Sequence, residues 1–303
     1  MKISTDISFL SACAGGWDEM ASCLELLSGT PFRYADLSMY RANREGSVIS
    51  GVKWREWGEK VGETAERLGI KLIQAHSSDS VYDKGEARDH CDELIKREIE
   101  VCGMLGIPQM VVHAISKEGK TWKEFNAANI EFYRSLIGTA EKNNVSLLME
   151  NSCHQHGNGF YYYLYAEPLL TTIADFGFHP LLNVCWDVGH ANMQGADQHK
   201  ELVNLGGRLK GLHIHDNYGN ADNHLIPYFG NCNYDAILKG LLDISYKGYF
   251  DMEAYSLLPA ATVGRAGDAE KLLNPSSELF VGAANLMYDI AKYMLSEYNC
   301  LEE

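Results

Sequence analysis

Several features that would quickly assign a protein to a class are missing from this 303-residue chain. No apolar run reaches the ~18 residues that a membrane-spanning helix requires, so no membrane segment is predicted. The eight cysteines show no CxxC spacing, which argues against a zinc ribbon and, in so long a chain, against a disulfide scaffold. The N-terminal residues are interpreted as a first strand and not as a secretion signal. Reduced thiols and a cytoplasmic location are therefore expected.

Basic residues are also scarce. The chain has 26 Lys and Arg against 41 Asp and Glu, which gives a formal net charge of −15. Proteins that grip nucleic acid usually present a basic face, because their affinity comes from neutralised phosphates. The charge therefore disfavours a nucleic-acid partner. Bound cations and a local basic patch could offset it, so that alternative stays open.

What the sequence does contain is an alternation of strand-like and helix-like segments. The predicted strands cover roughly residues 2–8, 32–39, 71–76, 109–113, 145–151, 181–188, 209–215 and 248–254. Between them lie segments with apolar residues at helical spacing, among them 18–29, 54–69, 89–106 and 122–144. Gly69 and Gly106 stand where helix C-terminal caps are expected. Without a linker or a low-complexity tract, this pattern predicts a single (β/α)8 barrel domain over residues 1–303.

Residues that can bind a metal lie at the ends of six of these strands. They are His76, His113, Glu150, Asp187, His213 and Glu253. Because the C-terminal ends of all strands in a parallel barrel meet at one mouth, these side chains are expected to converge. The sequence thus predicts a polynuclear metal centre at the mouth.

Individually, these residues leave alternatives open. A carboxylate at the end of a buried strand, such as Glu150 or Glu253, must be paired or metal-bound, and an ion pair with Arg or Lys would also serve. Asp251 shares a face with Glu253, so the register of the last strand could be slipped. His213 and His215 alternate on one strand face, and His213 is favoured as the ligand, with His215 as the alternative.

Other residues carry a weaker signal. A lone histidine at a strand end, such as His76 or His113, is more often hydrogen-bonded in the core than a ligand. Asp222 and His224 could together bind one cation or simply belong to a solvated loop. His190 follows Asp187 by three residues. The aromatic run at 160–165 could stack on a sugar or anchor the loop.

The combined pattern resembles the xylose isomerase-like barrel superfamily, which includes sugar-phosphate isomerases and epimerases and the endonuclease IV type of abasic-site nuclease. The segments LLMEN, WDVGHAN, HIHDN and DNHLIPYFGNCNYDAI carry the resemblance. It extends over essentially the whole chain. One departure is Cys232, which stands in place of the second glycine of the last segment's loop motif.

The resemblance implies roles for these residues. Glu150, Asp187, His213 and Glu253 would hold a divalent ion, and their mixed oxygen and nitrogen donors suit Mn²⁺, Zn²⁺, Co²⁺ or Mg²⁺. Glu150 and Glu253 would be the catalytic acid–base pair. Residues implied either to bind substrate or to hold further ions are His76, His113 and His190, with Asp222 and His224 implied as ligands of an additional ion.

The function implied is that of a metal-dependent isomerase or epimerase of a small keto-sugar or polyol, phosphorylated or not. It would proceed by α-proton abstraction through a metal-stabilised enediolate. The expected partner is a small carbohydrate, and the resemblance implies a homodimer. The stretch DNYGNADN lacks the Arg that epimerases of the family often place there, which weighs against a ketohexose 3-epimerase. The alternatives are an endonuclease IV-like phosphodiester hydrolase and an inosose-type dehydratase.

Overall fold

A computed structural model describes residues 1–156, 159–258 and 276–302. Eight of the strands in that part of the chain form a parallel sheet in the order β10-β1-β2-β3-β4-β5-β8-β9. Their bounds are Lys2–Asp6 (β1), Tyr34–Ser38 (β2), Lys71–His76 (β3), Gln109–Val111 (β4), Ser146–Glu150 (β5), Leu182–Asp187 (β8), Leu209–His213 (β9) and Tyr249–Met252 (β10). A bridge between Ile214 and Met252 joins β9 to β10. The sheet therefore closes on itself, and the predicted (β/α)8 barrel is confirmed.

Helices surround the sheet and alternate with its strands. Their bounds are Ser11–Ala14 (α1), Met20–Leu27 (α2), Trp54–Leu68 (α3), Glu86–Leu105 (α4), Trp122–Asn143 (α5), Ala166–Phe176 (α6), Val188–Met193 (α7), Gln198–Leu205 (α8), Tyr234–Asp243 (α9) and Ser277–Glu297 (α10). Short 3₁₀ turns cover Ser8–Leu10 and Gly206–Arg208. The loop after β5 carries a small antiparallel hairpin of Gln155–His156 (β6) and Gly159–Phe160 (β7). No helix in the described part of the chain is both long and apolar enough to cross a membrane.

Local sequence explains where several helices begin and end. Helices α3 and α4 stop at Gly69 and Gly106, whose φ angles of 66° and 67° place them in the left-handed region that glycine adopts without strain. Helix α5 begins at a capping box, in which Thr121 and Glu124 satisfy each other's backbone N–H groups. The two predicted glycine caps are confirmed. Helix α4 begins at Glu86, ahead of the expected residue 89.

Most predicted strands extend past the observed ladder. Strand β4 ends at Val111 and β9 at His213, two residues before the predicted ends at 113 and 215. At the mouth the chain turns outward into the loops, so the last polar residues leave the ladder. As a result, His113, His215 and Glu253 lie just beyond the last residue of their strands.

The interior of the barrel contains a polar floor beneath the mouth. The Gln74 amide nitrogen donates to the Asp36 Oδ2 atom at 2.7 Å and the Asp251 Oδ2 atom at 3.4 Å. Gly211 makes room for this amide, because a Cβ atom there would lie 2.5 Å from the Gln74 Oε1 atom. Asp251 therefore faces this floor and not the mouth.

Candidate metal centre and its pocket

The centre of the mouth is built around one imidazole nitrogen, the Nδ1 atom of His213. It lies 2.5 Å from the Glu150 Oε1 atom, 3.4 Å from the Glu253 Oε2 atom and 4.0 Å from the Asp187 Oδ2 atom. The sheet register accounts for part of this convergence, since Asp187 pairs with His213 and Glu150 pairs with Cys185. The structure thus brings together the four residues expected to hold an ion.

These four residues have the character of a cation site. Glu150, Asp187 and His213 are each less than 5% exposed. Within the described residues, the ion pairs of the three carboxylates are made with histidines and none with Lys or Arg. The alternative of a structural bridge to Arg or Lys is therefore not observed in this part of the chain. Two buried carboxylates and the partly buried Glu253 need a compensating positive charge, and mixed oxygen and nitrogen donors fit a divalent ion.

Two further histidines approach Glu150 from β3 and β4. The His113 Nε2 atom lies 2.7 Å from the Glu150 Oε2 atom, and its Nδ1 atom lies 2.8 Å from the Asp79 Oδ1 atom. His76 is farther away, with 3.9 Å between its Nε2 atom and the same Glu150 oxygen. The donor atoms of His76, His113 and Glu150 lie close enough together to hold an ion.

Burial and neighbouring charge separate the pKa values of the two glutamates. Burial acts to raise the pKa of Glu150, but His213 and His113 outweigh it and lower that pKa well below its usual range. Burial raises the pKa of Glu253 well above its usual range, and the charge of Glu150 adds to this effect. Burial and neighbouring charge thus displace the two pKa values in opposite directions. Two titratable groups arranged in this way are typical of an acid–base pair.

The two histidines beside Glu150 also differ. Burial and the neighbouring His113 lower the pKa of His76 to about 4, so His76 is neutral. For His113, burial is outweighed by the hydrogen bonds to Asp79 and Glu150, which raise its pKa to about 10. The imidazole between two carboxylates thus carries the positive charge.

A second group of donors lies at the rim. The Asp222 Oδ2 atom lies 3.0 Å from the His224 Nε2 atom and 3.4 Å from the His190 Nε2 atom. Backbone carbonyls orient both rings, because His224 Nδ1 contacts the Glu253 oxygen at 2.8 Å and His190 Nδ1 contacts the Asn151 oxygen at 2.9 Å. The predicted trio is thus assembled, and its donor atoms are also close enough to hold an ion.

His215 occupies a different place from His213. Its Nε2 atom contacts both Asp187 carboxylate oxygens at 3.0 Å. Its ring packs on Gly189, where a Cβ atom would lie 1.9 Å from the ring. A glycine at that position lets the imidazole reach Asp187. The favoured register, with His213 at the two glutamates, is the one that the structure shows.

These donors open onto a cavity of about 350 Å³. Its floor includes His76, His113, Glu150 and Glu253. Its lining also includes residues that were not singled out from the sequence, among them Phe9, Trp17, Tyr40, Arg41 and Tyr255. Asp6, the last residue of β1, also lines the cavity and was likewise not singled out, although a carboxylate at a strand end was the signal used for the other strands.

Two residues of the aromatic run at 160–165 pack on helix α5. The Tyr163 ring lies 4.9 Å from that of Phe125, and the Tyr162 ring lies 5.9 Å from that of Trp122. Tyr163 is fully buried. These two tyrosines anchor the loop, and stacking of the run on a sugar stays a prediction. Residues 259–275, which follow the last strand, lie outside the described residues.

The fold and the site together define a parallel α/β barrel with carboxylates and imidazoles gathered at its mouth. A family profile described as xylose isomerase-like TIM barrel matches residues 24–272, which is more than half of the chain. The chain belongs to the xylose isomerase-like TIM barrel family. The resemblance seen in the sequence is thereby confirmed.

Curated relatives add little about activity. Protein y4fM of Sinorhizobium fredii is 29% identical over 167 residues, 53% of this chain and 51% of that protein. Protein MJ1311 of Methanocaldococcus jannaschii is 36% identical over 89 residues, 29% of this chain and 30% of that protein. Both are named as uncharacterized. The chain spans about half the length of the first relative and less of the second.

Solved structures match over nearly the full chain. A D-tagatose 3-epimerase-like protein superposes with a TM-score of 0.75 at 20% identity, covering 99% of this chain and 98% of that one. A D-psicose 3-epimerase from Clostridium cellulolyticum H10, solved with D-tagatose, gives 0.74 at 16% identity, covering 97% and 99%. An L-ribulose 3-epimerase gives 0.63 at 18% identity, covering 97% and 98%. At these identities the likeness shows the fold.

Proposed function

We propose that this protein is a divalent-metal-dependent isomerase or epimerase of a small keto-sugar or polyol. The observation that carries the proposal is that Glu150 and Glu253 meet at one nitrogen of His213 on the floor of a sugar-sized cavity. The opposite displacement of their pKa values supports it. So do the neighbours of known structure, several of which are named as sugar epimerases.

The four residues that would hold the ion are Glu150, Asp187, His213 and Glu253. Their donor set fits, since it is buried, rich in carboxylates and without a described Lys or Arg partner. When bound, a divalent ion supplies Lewis-acid polarisation of the substrate carbonyl, which acidifies the adjacent C–H bond. The rest of the chemistry falls to the side chains.

Proton transfer is assigned to the two glutamates. Glu150, held ionised by His213 and His113, would accept the proton from the α-carbon. Glu253, whose Oε2 atom lies 3.4 Å from the same His213 nitrogen, would return a proton to the resulting carbanion or its oxygen. The neutral His76 and the backbone-oriented His190 line the cavity and would hydrogen-bond substrate hydroxyls.

The test is a direct comparison of reactions. Purified protein with added Mn²⁺ would be incubated in D₂O with a panel of keto-sugars, and deuterium incorporation at the α-carbon followed by NMR. The same preparation would be offered an abasic-site duplex and an inosose. Exchange without duplex cleavage or dehydration supports the proposal. Duplex cleavage or loss of water from the inosose, with no sugar exchange, would reassign the protein to one of the alternatives named from its sequence.

A further inference from the structure

The lining of the cavity includes a cationic side chain that the proposed reaction does not use. Arg41, three residues after β2, is the one Lys or Arg among the described residues that line the cavity. The other charged groups on the lining, apart from histidines, are carboxylates: Asp6, Glu150, Asp222 and Glu253. Arg41 is therefore a single cation on a lining rich in carboxylates, and the proposed reaction assigns it no role.

Arg41 is held in place by stacking and not by an ion pair. Its guanidinium carbon lies 5.6 Å from the centre of the Trp17 ring and 5.7 Å from that of Tyr40. Arg41 is exposed to solvent, and within the described residues its observed contacts are with these two rings and not with a carboxylate. Stacking through the flat face leaves the N–H groups at the edge available to a planar or tetrahedral anion.

The neighbouring Arg44 shows what a structural arginine in this segment looks like. Its Nη2 atom lies 2.5 Å from the Asp18 Oδ2 atom, and Asp18 also accepts from the Val48 N–H at 3.3 Å. Arg44 thus ties its segment to Asp18, two residues before α2, whereas Arg41 lines the cavity. The two arginines therefore differ in their partners, because Arg44 pairs with a carboxylate and Arg41 packs on aromatic rings.

The loop carboxylate of Asp79 is already engaged. Asp79 accepts from the Tyr40 hydroxyl and contacts His113 Nδ1 at 2.8 Å. The Tyr40 hydroxyl is therefore held by Asp79, and the Tyr40 ring packs against the Arg41 guanidinium. The guanidinium thus lies at the cavity beside two rings, with no anionic partner among the described residues.

The strand order shows where Arg41 lies in the barrel. In the sheet order, β2 stands across the barrel from β8, the strand that ends in Asp187. Arg41 lines the same cavity as Glu150 and Glu253, so a sugar bound at these glutamates shares the cavity with the guanidinium. We infer that Arg41 binds a terminal anionic group, phosphate or carboxylate, of the keto-sugar, so that anionic sugars are preferred over neutral ones. This inference rests on the proposed function.

The experiment compares matched substrates and matched variants. Solvent-exchange kinetics would be measured with a neutral ketohexose, its 6-phosphate and the corresponding keto-uronate. The wild-type protein, Arg41→Gln, Arg41→Lys and Arg134→Gln would be compared. Arg134 is the matched control, because it also stacks on an aromatic ring, 5.3 Å from the Phe176 centre, but lies away from the cavity.

The readout is the ratio of kcat/KM for an anionic sugar to kcat/KM for the neutral one. We expect Arg41→Gln to lower this ratio by about 10–100-fold, as loss of charge-assisted hydrogen bonds would. The change should lie in KM for the anionic sugar, with Arg41→Lys intermediate and Arg134→Gln like the wild type. Whichever of the phosphate and the uronate shows the larger effect identifies the anion.

The failure of this inference can be told apart from failure of the proposed function. Exchange that is equally fast on neutral and anionic sugars, with a ratio unchanged in Arg41→Gln, overturns the inference and leaves the isomerase in place. If no sugar exchanges at all, calorimetric titration with a hexitol and a hexitol phosphate still tests Arg41. Tighter binding of the phosphate that is lost in Arg41→Gln supports it, and equal binding of the two ligands overturns it.

Discussion

The mouth of the barrel holds two groups of donors that are built in different ways. The central cluster consists of Glu150, His213 and Glu253, which end barrel strands or directly follow them. The rim cluster consists of His190 on α7 and of Asp222 and His224 in the loop between β9 and α9. Strand register places the first group, whereas loop contacts place the second.

Those loop contacts converge on one aspartate. Asp216 accepts hydrogen bonds from the backbone N–H groups of Asn217, Tyr228 and Cys232 at 2.9, 2.9 and 3.0 Å. Asp216 also bridges to Leu225 through its backbone. The loop is thus held together by hydrogen bonds to the Asp216 carboxylate. Asp222 is positioned by this loop and not by the hydrogen bonds of a sheet. We expect the central cluster to carry chemistry and the rim cluster to adjust binding.

Metal removal should give the largest effect. Treatment with a chelator such as EDTA is expected to reduce keto-sugar exchange to the background rate while the far-UV circular dichroism stays unchanged, because the apolar core packs between sheet and helices and not at the mouth. Readdition of Mn²⁺ should restore exchange. Unfolding on chelation would contradict this separation of core and centre.

Loss of either central carboxylate should come next. Glu150→Gln and Glu253→Gln are each expected to lower the rate of exchange by ~10² or more, because each removes both a ligand and a proton carrier. Glu141→Gln is the matched control, since Glu141 pairs with His179 at 3.2 Å but lies far from the mouth. Near-wild-type rates in either central variant would refute the acid–base assignment.

The contrast between the clusters also explains how much could be predicted from the sequence. Alternating strands and helices predicted the barrel, and once a barrel is assumed, ligand-type residues at strand ends must share one mouth. That inference placed Glu150, His213 and Glu253 together, which is the arrangement observed. It needed no knowledge of loop structure.

The supporting residues were not predictable in this way. Asp79, which orients His113, lies three residues past the end of β3, and Arg41 lies three residues past the end of β2. Loops turn by local contacts that a period-two pattern does not encode, so nothing in the sequence distinguished Asp79 from neighbouring acidic residues. Gln74 likewise has no ligand-type chemistry, although its amide nitrogen lies 3.2 Å from His213 Nε2.

Substitution at the rim should have a smaller effect than at the centre. Asp222→Asn is expected to raise KM about tenfold with a lesser change in kcat, because it weakens the orientation of His190 and His224 without removing the proton carriers. Asp243→Asn, at the exposed pair with His199, serves as the control. A loss in kcat equal to that of Glu253→Gln would mean that both clusters take part in the chemical step.

The smallest effect concerns the support of the central cluster from helix α4. Glu98 is fully buried and accepts hydrogen bonds from the Ser78 N–H at 3.0 Å and the Ser78 hydroxyl at 2.6 Å, which holds the segment next to Asp79. Burial raises the pKa of Glu98 from 4.5 to about 8. Between these pH values the folded protein retains a proton that the unfolded chain has released.

The free energy of unfolding should therefore fall as pH rises from about 4.5 to about 8. Glu98→Gln cannot ionise, and its amide can still accept from the Ser78 N–H and donate to the hydroxyl, so the variant should lack this contribution. Urea unfolding at pH 5, 6, 7 and 8 would measure it as a wild-type stability that declines relative to the variant. If the difference in unfolding free energy between wild type and Glu98→Gln does not change with pH, Glu98 is ionised in the folded protein. Ser78 would then be held by a carboxylate that has no cationic partner among the described residues.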